Sequence, residues 1–179
     1  MSKGKILFQL SGSIAAYKAC NTISQLSQEG YEVQTLATAN ALRFVGPATL
    51  EGLSGRAVFT DAYEAGRMLD HIHLAKWADL AILCPATANS INKLATGIAD
   101  DALTTLFLAY ELKKPYLIAP AMNQEMFRHP ATQSAMVKLK EWGVRILGTE
   151  HGHQACGDVG PGRLLEPTRI YEEILEALK

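Results

Sequence analysis

Three short stretches hold the side chains best suited to chemistry. The first is Pro120-Ala121-Met122-Asn123-Gln124-Glu125-Met126. Asn123 offers two donors and an acceptor without a charge. It follows Pro115–Ala119, an apolar run too short for a helix and bounded by prolines, which reads as a buried strand ending at Pro120. In open α/β sheets, ligands bind just beyond the carboxyl ends of strands. Asn123 is thus placed to touch a ligand, and a helix N-cap is the competing role. The second stretch is His71-Ile72-His73. In an extended segment, residues two apart face the same way, so both imidazoles are expected on one side. Histidine titrates near neutrality and suits proton transfer, although a lone histidine is often structural. The third stretch, His151 to Arg163, has five Gly or Pro residues and reads as a long functional loop. Cys156 there, beside backbone amides, suits a reactive thiol. His151, His153 and Cys156 are metal-ligand types, but a fourth ligand is not apparent, and no metal is expected.

The elements that must position these residues alternate between strand and helix. Strands are expected at Lys5–Leu10, Glu32–Ala37, Ala57–Thr60, Asp79–Cys84, Pro115–Ala119 and Val144–Leu147. Helices are expected at Ser13–Glu29, Ala39–Val45, Pro47–Leu53, Ala88–Thr96, Asp101–Leu112, Thr132–Trp142 and Thr168–Leu178, with a short turn through Trp77. In the first helix, Ile14, Tyr17, Cys20, Ile23 and Leu26 recur near helical spacing and are expected to face the core. Asp61–Leu69 and the glycine-rich stretch Gly148–Pro167 read as irregular. Such alternation predicts an α/β fold: a Rossmann-like, doubly wound parallel sheet in three α/β/α layers, forming one domain over residues 1–179.

In such a sheet the turns after the main strands share one edge. They contain Ser11-Gly12-Ser13, Thr38, Pro85-Ala86-Thr87-Ala88 and Pro120–Asn123, and none of these residues is charged. Helix N-termini carry partial positive charge, so Ser11, Gly12 and Ser13 can hold a phosphate without a basic residue. The dinucleotide pattern Gly-x-Gly-x-x-Gly is replaced by Ser-Gly-Ser-Ile-Ala-Ala, and Thr38 stands where an acid usually meets the ribose. A Walker A sequence is also missing. A mononucleotide with one phosphate, such as FMN, fits better. Each hydroxyl alone would pass for a helix cap; several on one sheet edge favour a site.

Composition narrows the rest. The chain has 179 residues, 48% of them hydrophobic and 20% charged, with a net charge of −1. No basic run stands out, so nucleic-acid binding is not expected. No apolar run is long enough for a membrane span or a signal sequence. Three cysteines far apart, with no Cys-x-x-Cys pair, suggest reduced thiols in the cytoplasm.

Taken together, these residues resemble the homo-oligomeric flavin-containing cysteine decarboxylases. The resemblance spans essentially the whole chain. Ser11 to Lys18 matches the family's first turn, His71 its catalytic histidine, and Pro120 to Met126 its substrate motif. Ala155-Cys156-Gly157-Asp158 with Gly160–Arg163 matches its substrate clamp and catalytic cysteine. Phe127 stands where several members have Trp. The resemblance implies FMN on Ser11, Gly12, Ser13, Thr38, Pro85, Ala86, Thr87 and Ala88. It implies catalysis by His71, Asn123 and Cys156, and substrate contacts from Asn123, Met126, Ala155, Gly157, Asp158 and Arg163. The implied reaction is decarboxylation of phosphopantothenoylcysteine to phosphopantetheine, in coenzyme A biosynthesis. FMN would oxidise the thiol so that CO2 can leave, and Cys156 would help return the enethiol to a thiol. Relatives also suggest a homotrimer or dodecamer, with FMN at subunit contacts. Because the chain ends at Lys179, a stand-alone decarboxylase is expected. The alternatives are a decarboxylase of peptide C-terminal cysteine, a flavin prenyltransferase, or a non-catalytic FMN-binding regulatory subunit.

Overall fold

The computed structural model describes residues 2–62, 66–155 and 157–179. The chain opens with β1 (Lys5–Leu10), α1 (Ala16–Gln28) and β2 (Glu32–Ala37), followed by α2 (Pro47–Ser54) and α3 (Asp70–Trp77). It continues through β3 (Leu80–Ala86), α4 (Ala88–Thr96), α5 (Ala102–Ala109) and β4 (Tyr116–Pro120). Next come α6 (Gln124–Arg128), α7 (Pro130–Glu141) and β5 (Arg145–Ile146). The last elements are the strands β6 (Thr149–His153) and β7 (Val159–Leu164) and the helix α8 (Pro167–Ala177).

Five strands form one parallel sheet in the order β2-β1-β3-β4-β5. The central strand β3 reads Leu-Ala-Ile-Leu-Cys-Pro-Ala and is buried along its whole length. A continuous apolar run of this kind belongs to a strand covered on both faces. Ile6, Phe8 and Leu10 of β1 pack with Ile23 and Leu26 of α1 and Ile170 and Ile174 of α8. Leu7, Leu83 and Ile118 face the other way, toward a core shared with α3, α4, α5 and α7. The expected three-layer, doubly wound arrangement is therefore present. Local signals set the helix starts. Thr87 caps α4 by accepting from Ser90 N, and Asp101 and Thr104 form a reciprocal capping box on α5.

Four expectations need correction. Helix α1 starts at Ala16, and its core stripe is Ala16, Ala19, Ile23 and Leu26. A set spaced by three throughout drifts about 60° per step around a helix of 3.6 residues per turn. Its early members therefore rotate to solvent: Ile14 is 62% exposed and Tyr17 61%. His71 and His73 lie in the helix α3, not in an extended segment. Two residues apart on a helix are about 200° apart, so His71 is half-buried while His73 is exposed. Ala57–Thr60 makes only a single bridge, Leu36 to Phe59. The stretch Gly148–Pro167 is no irregular loop: β6 and β7 pair as an antiparallel hairpin. Among the described residues, no helix is long and apolar enough to cross a membrane.

Candidate active site

A cavity of about 480 Å³ opens at the carboxyl edge of the sheet. Four pieces of chain enclose it: the entry to α1, Thr87 in the turn from β3 into α4, the turn from β4 into α6, and the β6–β7 hairpin. Ile14 and Tyr17, displaced from the core, form part of its apolar wall. Lys18 and Arg163 are the lysine and arginine among its lining residues. Both turn to Glu166, with Lys18 Nζ 2.7 Å and an Arg163 guanidinium nitrogen 3.9 Å from the same carboxylate oxygen.

Asn123 is both helix cap and cavity residue. Its Oδ1 accepts from Glu125 N at 2.9 Å and Met126 N at 3.2 Å, which fixes the carboxamide. The amide nitrogen must then point away from α6, and it donates to Asp158 Oδ2 at 3.0 Å. The hairpin docks on this same segment. Met122 N donates to Gly162 O at 2.9 Å, and Gln124 N donates to Gln154 Oε1 at 3.1 Å. Gln154 Nε2 in turn donates to Pro161 O at 2.8 Å. Close approach is possible because β7 carries glycine at the contact. A Cβ on Gly162 would lie 2.5 Å from Met122 O, and one on Gly160 would lie 2.1 Å from Gln124 Oε1.

The turns after β1 and β3 are stitched to each other. Ser11 Oγ donates to Pro85 O at 2.7 Å and accepts from Thr87 N at 3.0 Å. Ser11 is 1% exposed. Thr38 Oγ1 accepts from Ala41 N at 3.2 Å, closing the turn after β2.

The family model described as Flavoprotein matches residues 1–179. The chain belongs to the flavoprotein family. It is 46% identical over 168 residues to the coenzyme A biosynthesis bifunctional protein CoaBC of Vibrio vulnificus, covering 93% of this chain and 41% of that protein. The chain thus spans about two fifths of the length of the bifunctional relatives it matches. The probable phosphopantothenoylcysteine decarboxylase of Streptococcus mutans is 43% identical over 176 residues, which covers 97% of this chain and 98% of that one. Among solved structures, a PPC decarboxylase variant complexed with pantothenoylaminoethenethiol superposes with a TM-score of 0.85 at 31% identity, covering 97% of each chain. The FMN-dependent cysteine decarboxylase SpaF gives 0.82 at 33% identity, covering 99% of each.

In this flavoprotein the cavity brings together Gly12, Ser13 and Thr87 of the expected cofactor set with Asn123, Met126, Ala155 and Arg163 of the expected substrate set. Ser11, Thr38, Pro85, Ala86 and Ala88 do not line it. Ser11, Pro85, Ala86 and Ala88 are interior residues that shape the edge from behind. Asp158 joins the site through Asn123, while Gly157 lies in the hairpin turn, its N–H donating to Gln154 O at 2.9 Å. His71 sits in the first turn of α3 and is not among the cavity's lining residues, and its Nδ1 is buried without a hydrogen-bond partner among the described residues. Cys156 lies outside the described residues. Burial pushes the thiols of Cys84 and Cys20 upward, Cys84 far above the ordinary range. Sequence reasoning missed Gln154, Met122 and Lys18 as wall residues. Gln154 bonds a backbone N–H thirty positions away, a contact that no local spacing announces.

Proposed function

We propose that this flavoprotein is an FMN-dependent decarboxylase that converts phosphopantothenoylcysteine to phosphopantetheine in coenzyme A biosynthesis, with residues 1–179 acting as one domain. The observation that carries the reading is Asn123: an uncharged amide, held by its own helix, with its donor end turned to the hairpin at the cavity. The chain's likeness over nearly the whole length of a probable phosphopantothenoylcysteine decarboxylase supports it.

The cavity suits a flavin. Its sheet-edge wall carries small residues and the hydroxyls of Ser13 and Thr87 without a charge, which favours a neutral ring approached by backbone amides. Gly12, Ser13 and Thr87 would hold the cofactor. A flavin bound there supplies the oxidant for the substrate thiol, which prepares the neighbouring carbon to release CO2. Asn123 directs its amide N–H at the substrate carboxylate. A neutral donor suits this position, because a buried cation would stabilise the starting anion more than departing CO2. Met126, Ala155 and Arg163 line the substrate side. His71 serves as acid and base, and Cys156 serves the closing return of the enethiol to the saturated thiol. Burial raises the thiol pKa of both Cys84 and Cys20, Cys84 far more, which disfavours them for that role.

A homo-oligomer, trimer or dodecamer, completes the proposal. Exposed Ile14 and Tyr17 flank an open cavity, and His71 does not reach that cavity within one chain, so a second copy would bring it. The absence of any disulfide among the described cysteines suits a cytoplasmic location. The bifunctional relatives leave a decarboxylase that forms part of a longer protein as an equal setting. A decarboxylase of peptide cysteine is the second reading; the cations Lys18 and Arg163 at the cavity favour a phosphorylated substrate over it.

The test is incubation with phosphopantothenoylcysteine, followed by mass spectrometry for loss of CO2, on a yellow preparation that elutes as a multimer. Asn123→Asp sets an anion against the substrate carboxylate and is expected to lower turnover about a hundredfold or more. Decarboxylation by that variant at the parent rate would remove Asn123 from the chemistry.

A further inference from the structure

His71 stands on the first turn of α3, and a side chain from far along the sequence holds the opposite end of that helix. Lys114 Nζ donates to Ala75 O at 3.2 Å, Lys76 O at 2.9 Å and Ala78 O at 2.8 Å. The last carbonyls of a helix have no partner within it, and a cation there also meets the negative end of the helix dipole. Three ammonium protons match three acceptors, so the group is fully used. Lys114 is braced in turn. Its Nζ lies 5.7 Å from the centroid of the Tyr110 ring, and Tyr110 OH donates to Pro115 O at 3.1 Å.

The rest of α3 is lightly anchored. Its buried residue is Ala75, a single methyl group, with Leu74 and Trp77 partly buried against the same core. The Arg56 guanidinium lies 5.1 Å from the Trp77 ring, again at the C-terminal end. Leu69, at the N-cap, has no side-chain acceptor to offer. Ala78 leads into β3, so the chain fixes where α3 ends but not the direction in which its axis leaves the sheet. Three bonds converging on the last turn fix that direction. His71 lies about 7.5 Å along the axis from Lys76, so a tilt of about 8° moves it by about 1 Å. Its Nδ1 has no hydrogen-bond partner among the described residues, so the ring takes its place from the helix.

We infer that Lys114 is a positioning residue: by holding the last turn of α3 it aims the helix and so sets where His71 acts. The inference rests on the decarboxylase reading above, in which His71 serves as acid and base. Lys114 also stands just before β4, the strand that ends at the turn carrying Asn123. One ammonium thus ties the helix of His71 to the root of the strand that delivers Asn123.

The experiment uses the flavin-loaded protein with Lys114→Met, which keeps the stem and removes the donors, and Lys114→Arg, which keeps the charge. Hydrogen exchange read by peptide mass spectrometry should be about tenfold faster across α3 in Lys114→Met, and unchanged in α4 and α7. With phosphopantothenoylcysteine, kcat should fall about tenfold while KM stays within twofold of the parent's, because the substrate's own contacts are intact. Lys114→Arg should show smaller changes of both kinds, since a planar fork cannot aim three protons at one helix end. If Lys114→Met does not fold, those smaller changes in Lys114→Arg carry the comparison. Exchange in α3 at the parent rate, or raised equally in α4 and α7, overturns the inference. So does a loosened α3 with kcat unchanged. A parent protein that does not decarboxylate overturns the decarboxylase reading instead, and the exchange of α3 still decides whether Lys114 holds the helix.

Discussion

The sheet edge and the β6–β7 hairpin both bring polar groups to the cavity, and they use them in opposite ways. At the edge, hydroxyls close the sheet's own turns and tie them to each other. Ser11 Oγ bridges Pro85 O and Thr87 N, Thr38 Oγ1 takes Ala41 N, and Thr87 Oγ1 takes Ser90 N. In the hairpin, side chains reach out of the hairpin to the segment after β4: Gln154 to Gln124 N, and Asp158 to Asn123. The edge is thus a partly buried scaffold whose hydroxyls are held by the turns around them. The hairpin is an exposed arm whose residue types answer to the segment it docks on. Ser or Thr at a strand end does not by itself separate a cap from a ligand group.

The comparison breaks most sharply at Gly162. Its φ of +111° lies where L-residues are strained, and an added Cβ would meet the Met122 carbonyl oxygen, which is backbone and cannot swing away. Gly162→Ala should lift β7 off Met122–Gln124 and misplace the hairpin against Asn123. A displacement near 1 Å can cost about a hundredfold in rate, and that is the expected loss of turnover. The five-stranded sheet does not depend on the hairpin for its ladder, so far-UV circular dichroism should stay close to the parent's. Turnover at the parent rate would show that the arm is not part of the machinery.

Ser11→Ala probes the other region and should act on stability. Removing the buried hydroxyl strips Thr87 N of its acceptor, at a cost of about 1–3 kcal/mol. For a chain of this size each kcal/mol lowers the melting midpoint by about 2–4 °C. The measurement is a thermal melt of parent and variant side by side. A variant that melts with the parent but no longer takes up flavin would return Ser11 to the ligand's side of the edge.

The same contrast explains what was legible in the sequence. The parallel strands announce themselves because burial on both faces demands unbroken apolar runs, as in Leu80–Ala86 and Tyr116–Pro120. The hairpin strand β6 reads Thr-Glu-His-Gly-His, with no buried residue, so no alternation marks it. Its order comes from pairing with β7 and docking on Asn123, both non-local. Asn123 was readable as a ligand residue and as a cap, and the structure uses it as a cap whose amide nitrogen donates to Asp158. His71 and His73 misled because period two was assumed where α3 has period 3.6. Helix α6, five residues before a proline, is too short to carry a period at all.

The smallest effect concerns the thiols. Cys84 lies in β3 and Cys20 in α1, both on the scaffold side of the contrast. Burial disfavours the charged thiolate and therefore raises both pKa values, with the backbone hydrogen bond from Cys20 a lesser opposing influence. The thiolate is the reactive form, so a raised pKa means that little of it exists at neutral pH, and more appears only as pH climbs. Iodoacetamide labelling of the folded protein, read by peptide mass spectrometry, should leave Cys84 unmodified at pH 7 and still unmodified at pH 9. Cys20, only half-buried, should label slowly, and faster at the higher pH. Cys156 should label first at both, because the role proposed for it requires a thiol that is reachable and ionisable. If Cys84 were modified as readily as Cys156, the scaffold would be opening on the timescale of the reaction, and the division between a rigid edge and a working arm would fail.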